Sequence, residues 1–365
     1  MRVLMTGGGT AGHVNPAIAI ANTIKQHEPD AEIAFVCSHN ASDKAKDLVP
    51  RAGYDKLYTV KICGMKKIYS PANIKTLFYM MTSPAEAKKI INEFKPDIII
   101  GTGGFACYPV ARAGVKCGIP VVLHESNAIV GKAILKLAPT VDLVMTNFEA
   151  SAKKLTRAKR VIRVGNPIIK KVGVSTASSK GEFSSCVLSF GGSLGAENLN
   201  TAVTNMLSNI ADKYPGTEFI HASGKRDYQH TKDEFSRLGL DKKKNVVLLD
   251  YIYDMDEKMA RADLVISRAG AMTVSELALG GKCAILVPSP YVAENHQYKN
   301  AKALEDVGAG VIVQEHQLSE GKLEEETVRL LSSPDIRADM SKKIVSFAEP
   351  RANEMIYEEI KKLAK

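Results

Sequence analysis

Tryptophan is absent from this 365-residue chain, and aromatic residues make up only 6% of it, against 45% hydrophobic and 24% charged residues. That balance excludes a disordered or fibrous protein and leaves an ordinary globular one. Also missing is an uninterrupted apolar run of about 18 residues, the length a membrane-crossing helix needs. The opening stretch Met1-Arg2-Val3-Leu4-Met5-Thr6 meets a glycine loop too soon to serve as a signal peptide, so the chain is expected to stay in the cytoplasm. Its six cysteines (Cys37, Cys63, Cys107, Cys117, Cys186 and Cys283) include no close pair, and most stand in apolar runs. Buried free thiols follow, and metal ligation has no support.

Positive charge is what the chain has in excess. Lys and Arg outnumber Asp and Glu 49 to 40, for a net charge of +9 and a pI near 9.0. Such a balance favours an anionic partner, whether nucleic acid, phosphorylated metabolite or acidic membrane surface, and charge does not choose among them. The length suits two domains, because single cores stop growing below roughly 250 to 300 residues.

Short apolar runs alternate with amphipathic stretches. Residues 2–6, 33–37, 98–100, 121–123, 143–145 and 161–164 read as strands, and 17–26 and 85–94 as helices, the second with Ser83 at its N-cap and Pro84 opening it. A polar, small-residue stretch at 171–185 marks a domain boundary. Beyond it the same grammar restarts, with strands at 186–190, 218–221, 245–249, 264–267, 284–287 and 311–313. The expected fold is α/β, two Rossmann-like doubly wound domains facing a cleft, with one domain at 1–165, a second at 166–345 and a C-terminal helix, 346–365, packing back on the first.

Three glycine-rich turns follow strands: Gly7-Gly8-Gly9-Thr10-Ala11-Gly12, Gly101-Thr102-Gly103-Gly104 and Gly191-Gly192-Ser193-Leu194-Gly195. Backbone without side chains lets N–H groups and a helix dipole approach phosphates, so three such turns point to several phosphates handled in one cleft; the alternative is tight turns for packing. Gly7, Gly9 and Gly12 also match a dinucleotide fingerprint. That reading wants an acidic residue at the end of the second strand, which here ends Cys37-Ser38-His39-Asn40. His13, at the exit of the first turn, is either a general base or a capping residue. In His124-Glu125-Ser126-Asn127, Asn127 suits a sugar contact, and Glu125 either a ligand or a structural role.

The segment Ser267-Arg268-Ala269-Gly270-Ala271-Met272-Thr273-Val274-Ser275-Glu276 is a strand end, a small-residue turn and a helix start. Thr273, Ser275 and the turn's N–H groups suit a diphosphate, and Glu276 the hydroxyls of a ribose, or else the helix dipole alone. Gln297 and Asn300, after the last strands, suit hydroxyl recognition. Residues 62–69 and 75–81 mix apolar and basic side chains and suit either an anionic membrane interface or core packing.

Taken in order, Gly-Gly-Gly-Thr-Ala-Gly-His (7–13), Gly-Thr-Gly-Gly (101–104), His-Glu-Ser-Asn-Ala (124–128), Gly-Asn-Pro (165–167), Gly-Gly-Ser-Leu-Gly-Ala (191–196) and Arg-Ala-Gly-Ala-Met-Thr-Val-Ser-Glu (268–276) resemble the MurG family of N-acetylglucosaminyltransferases over nearly the whole chain. The resemblance implies a B-type glycosyltransferase fold, UDP-N-acetylglucosamine as donor, and undecaprenyl-diphospho-muramoyl-pentapeptide (lipid I) as acceptor. It also implies inversion at the anomeric carbon with neither metal nor other cofactor. By that likeness Ser193, the backbone at Ile252, Ala271, Met272, Thr273, Val274, Ser275, Glu276 and Gln297 hold the donor, with Thr10, Ala11, Gly12 and Asn127 reaching it from the first domain. Gly7, Gly8, Gly9, Gly103 and Gly104 serve the acceptor, and His13 takes the proton of its C4 hydroxyl. The expected location is peripheral, on the cytoplasmic face of an anionic cell membrane. Other cell-wall and division proteins are further partners, and nucleic acid is not one.

Two positions depart from the family: its Gly-Asn-Pro-Val-Arg reads Gly165-Asn166-Pro167-Ile168-Ile169, with Lys170 adjacent, and its His-Glu-Gln-Asn reads His124-Glu125-Ser126-Asn127. Rival readings are a UDP-galactose-dependent glycolipid synthase, a UDP-sugar epimerase, and a nucleotide-sugar-binding regulator without turnover.

Overall fold

A computed structural model describes residues 1–62, 72–168, 182–192 and 195–364. The chain divides into two units, Met1–Ile169 with Glu349–Lys365, and Lys170–Ala348.

Among the described residues the first unit is built on seven strands: β1 (Arg2–Gly7), β2 (Glu32–Ser38), β3 (Leu57–Val60), β4 (Ile98–Gly103), β5 (Val121–Glu125), β6 (Leu143–Thr146) and β7 (Val161–Arg163). All pairings are parallel, in the order β3-β2-β1-β4-β5-β6-β7. Helices cover both faces, which is why the central strands are apolar without alternation. Val3, Met5, Ile98 and Ile100 face one layer of core; Leu4 and Ile99 face the other. The helix Ala352–Leu363 packs on Ala11–His27, placing Ile356 and Ile360 in the first layer. Tyr357 stacks on His27 with ring centroids 4.2 Å apart and donates its hydroxyl hydrogen to Glu28.

Among the described residues the second unit has six parallel strands, β8 (Ser185–Phe190), β9 (Thr217–Ala222), β10 (Val246–Leu249), β11 (Leu264–Ser267), β12 (Ala284–Leu286) and β13 (Val311–Ile312), in the order β10-β9-β8-β11-β12-β13. Its core gathers Leu199, Phe219, Phe235, Leu264 and Ile285. Cys37, Cys107, Cys186 and Cys283 are buried free thiols, each pushed up to about 12 by burial; Cys63 lies outside the described residues.

Three local expectations need correction. The first helix begins at Ala11, not 17: Pro16 sits inside it, so His13 lies in the first helical turn rather than ahead of it. The helix expected at 85–94 runs from Ala72 to Phe94, with Pro84 in its interior and Ser83 buried; packing on the helix Cys107–Lys116 outweighs the lost hydrogen bond. β3 is an edge strand of mostly part-exposed residues, so no apolar run announces it.

Candidate active site

In a doubly wound sheet the binding crevice opens where successive crossovers leave in opposite directions, beyond the carboxyl ends of the two central strands. In the first unit those strands are β1 and β4. The loops after them, 7–12 and 101–104, pack backbone on backbone. Gly104 has a φ of +81°, and a Cβ there would lie 2.3 Å from the Gly8 carbonyl oxygen. The Thr102 hydroxyl donates to the His13 carbonyl oxygen at 2.7 Å.

Asp43 belongs to no motif, yet it organises the first loop. The residue is 4% exposed, and its carboxylate accepts N–H bonds from Gly9 (2.8 Å), Ser38 (2.9 Å) and Ala45 (3.1 Å). The Gly9 N–H is therefore directed inward and is not offered to a phosphate. Asp43 stands five residues beyond Ser38, and its oxygens are committed to backbone rather than to a ribose. That disposes of the dinucleotide reading on structural grounds.

The imidazole of His13 lies against Gly103, where a Cβ would come 2.8 Å from the ring. Nδ1 is 3.2 Å from the Gly8 carbonyl oxygen and 3.3 Å from Thr10 Oγ1. A carbonyl only accepts, so Nδ1 carries the proton, and in the neutral ring Nε2 holds the basic lone pair.

Glu125, at the end of β5, proves to be an anchor. It accepts from the Asn127 N–H (2.9 Å), the Asn127 amide (3.2 Å) and the Gly131 N–H (2.7 Å), fixing the loop that carries Asn127. Its neighbour His124 is fully buried, donates from Nε2 to the Gly165 carbonyl (2.9 Å), and is pushed down to about 4 by burial. The family's arginine position, Ile169, and Lys170 lie outside the described residues.

In the second unit the central strands are β8 and β11. Gly191, Gly192 and Gly195 follow β8, while Ser193 lies outside the described residues. After β11 comes the helix Ala271–Leu279, whose N-cap, Gly270, has no side chain to cap it. The first turn of this helix lies at the carboxyl edge of the sheet, where the positive end of its dipole suits an anion. Val274 and Ser275 are buried on the helix's inner side.

Glu276, in the second turn, is half-buried and has no hydrogen bond or ion pair among the described residues. Burial and the nearby Asp256 carboxylate push its carboxyl up to about 7. A carboxylate without a protein partner at a crevice is suited to accept two hydroxyl hydrogens from a vicinal diol.

Arg268 donates to the Val287 carbonyl and, through both terminal nitrogens, to Glu315, which also accepts from Asn198 at 2.9 Å. Gln297 accepts the Ser289 N–H at 2.8 Å. Asn300 is fully buried and donates to the Ala269 carbonyl at 3.2 Å, a packing role that removes it from the ligand candidates.

Sequence reasoning passed over the surroundings of Ile252. That residue is buried, but Tyr251 and Tyr253 on either side are exposed and meet edge to face at 5.1 Å, with Lys225 over both rings. Two tyrosines spaced by one residue just beyond a strand end are the signal that was there to find. An Asp-x-Asp spacing also occurs, at Asp254 and Asp256, with Asp254 paired to Lys258 at 3.3 Å. Among the described residues no group of three or more His, Cys, Asp or Glu side chains is placed to hold a metal ion.

Comparison with known proteins bears on both units. The N-terminal domain of glycosyltransferase family 28 matches residues 3–146, and the C-terminal domain of that family matches 186–356. A protein of Acetivibrio thermocellus named UDP-N-acetylglucosamine--N-acetylmuramyl-(pentapeptide) pyrophosphoryl-undecaprenol N-acetylglucosamine transferase is 39% identical, over 100% of this chain and 99% of its own length. A Bacillus cereus protein of the same name, numbered 1, is 35% identical over 100% of both. The crystal structure of Acinetobacter baumannii MurG superposes with a TM-score of 0.78 at 25% identity, covering 99% of each chain.

Proposed function

The chain belongs to glycosyltransferase family 28 and has the B-type glycosyltransferase fold, and we propose that it transfers N-acetylglucosamine from UDP-N-acetylglucosamine to the muramoyl C4 hydroxyl of lipid I, giving lipid II. It is a UDP-sugar-dependent transferase of peptidoglycan synthesis. The observation that carries the donor reading is the Glu276 carboxylate, without a hydrogen bond or ion pair among the described residues, beside a helix N-terminus that no side chain caps, at the switch point of the second sheet. Glu276 accepts the ribose hydroxyls, and the amides of Ala271 to Thr273 take the diphosphate. Backbone at Ile252 reads the base, and Ser193 and Gln297 complete the donor's contacts.

In the first unit His13 Nε2 takes the proton from the attacking C4 hydroxyl as the bond to the anomeric carbon forms and the bond to UDP breaks. Attack from the face opposite the leaving group inverts the anomeric centre. Helix N-terminal amides stabilise the charge that develops on UDP, with no metal required. Thr10, Ala11, Gly12 and Asn127 line the reacting sugars, and backbone at Gly7, Gly8, Gly103 and Gly104 shapes the acceptor's place. Gly9 contributes through its conformation, since its N–H is held by Asp43.

Membrane docking on the cytoplasmic face is the reading we favour for the first unit. Among the described residues no helix is long and apolar enough to cross a membrane. Phe78, Phe105 and Leu135 are 61%, 54% and 50% exposed, on or beside helices that pack in series, with Arg112 and Lys136 at the Tyr108 ring between them. Apolar groups amid basic ones suit an anionic lipid surface, from which the acceptor is drawn. Other cell-wall and division proteins would meet the enzyme there.

Transfer of labelled N-acetylglucosamine from its UDP donor to a lipid I analogue, with and without chelator, tests the reaction. Product in both conditions is expected. Epimerised donor without transfer, or UDP-galactose transfer to diacylglycerol, would establish a rival activity; donor binding without UDP release would mark a regulator. Loss of transfer on chelation would contradict the metal-free chemistry.

A further inference from the structure

The Gly8–Gly9 peptide stands between a buried carboxylate and the imidazole assigned as base. Its N–H, on Gly9, donates to Asp43 Oδ1 at 2.8 Å. Its C=O, on Gly8, accepts from His13 Nδ1 at 3.2 Å. In a trans peptide these two groups point in opposite directions, so one rigid plane carries both bonds; among the described residues there is no cis peptide. Asp43 is itself fixed by the N–H groups of Ser38 and Ala45 and is 4% exposed.

From this geometry we propose that Asp43 is a positioning residue for His13, acting through the Gly8–Gly9 peptide as the carboxylate of a Ser-His-Asp triad acts through direct contact; the inference rests on His13 being the base. An anion on the N–H draws the amide toward its charge-separated form and raises the negative charge on the Gly8 oxygen. That oxygen then holds Nδ1–H more strongly, keeps the lone pair on Nε2, and stabilises the imidazolium formed when Nε2 accepts the acceptor's hydroxyl proton. The proton itself stays on the ring; Asp43 gains none. The arrangement also explains why the first glycine loop is folded around an internal anion: the loop's task is to hold the histidine, and phosphate recognition falls to other amides.

A double-mutant cycle separates this role from a structural one. Asp43→Asn keeps an acceptor oxygen but removes the charge, and it should lower kcat about tenfold while donor KM stays within about twofold. In the His13→Ala background the same change should have almost no further effect. Equal losses of kcat in both backgrounds, or a full kcat in Asp43→Asn alone, would overturn the inference, whereas an unchanged kcat in His13→Ala alone would show that the base itself is misassigned. Should Asp43→Asn fail to fold, nitrogen NMR of histidine-labelled wild-type protein decides. The neutral His13 ring is expected as the Nδ1–H tautomer, and an Nε2–H tautomer would refute the relay.

Discussion

Arg268 and Glu315 form a two-pronged ion pair in the second unit, with both side chains 12% exposed. Burial opposes ionisation of Glu315, but the Arg268 and Asn198 hydrogen bonds hold its carboxyl below the usual carboxylate range. The pair ties together three places on the carboxyl edge of the sheet: the end of β11, the end of β12 through Val287, and the helix Glu197–Ile210 through Asn198. Glu315→Ala leaves an uncompensated guanidinium and should destabilise the unit by about 3 kcal/mol. Urea unfolding measures this, and a loss under about 1 kcal/mol would show that the pair contributes little.

Glu276 links donor affinity to pH. The ionised carboxylate accepts the ribose hydroxyls, and with its carboxyl pushed up to about 7 it is mostly protonated at pH 6. Donor KM should therefore rise about tenfold from pH 8 to pH 6, with kcat less affected. In Glu276→Gln the KM should be high throughout and its pH dependence gone. A KM that ignores pH in the parent enzyme would remove Glu276 from the ribose site.

Acid should weaken both units through buried histidines. Burial pushes His124 and His221 from 6.5 down to about 4, so both rings stay neutral when folded and protonate more readily when unfolded. A depressed base contributes stability above pH 6.5 that is lost as pH falls toward 4, reaching about 3 kcal/mol for each ring. His221 sits with Nδ1 2.9 Å from Ser189 Oγ and with Nε2 buried and unpartnered. The urea midpoint should fall between pH 7.5 and pH 5, and His221→Gln should flatten the response of its unit.

The contact between the first two glycine loops makes Gly104 intolerant of a side chain. Gly104→Ala would place a methyl group 2.3 Å from the Gly8 oxygen at a φ of +81°, whereas at Gly118, with a φ of +71°, nothing lies within 4 Å. Gly118→Ala should cost about 1 kcal/mol, the backbone penalty alone, and Gly104→Ala at least 2 kcal/mol more. Because Gly8 holds His13, turnover should fall only in the second case. Equal stability losses would mean that the loops are not packed as described.

Of the thirteen strands among the described residues, twelve were legible as short apolar runs, including the part-exposed edge strands β7, β10 and β13; β3 was not, since Leu57-Tyr58-Thr59-Val60 mixes polar and apolar residues and lies between Lys56 and Lys61. The helix Ala72–Phe94 was misplaced at its start because Pro84 was read as its first residue, whereas Pro84, like Pro16 in the first helix, lies inside a helix. Glu276 and the 268–276 turn stood out because a strand end, small residues and a helix start follow one another without interruption. Asp43 did not, because its partners Gly9, Ser38 and Ala45 are backbone groups, which any residue type supplies.

The sequence by itself determined the parallel α/β class, the three glycine turns and the family, since all of these are written in local order. Tertiary structure decided what the polar residues among them do. Glu125 became an anchor, Asn300 a packing residue, and Asp43 the buried partner of the loop that carries His13. The physical reason is that a buried polar group must find a hydrogen-bonding partner, and that partner is chosen by which strands lie side by side, not by distance along the chain.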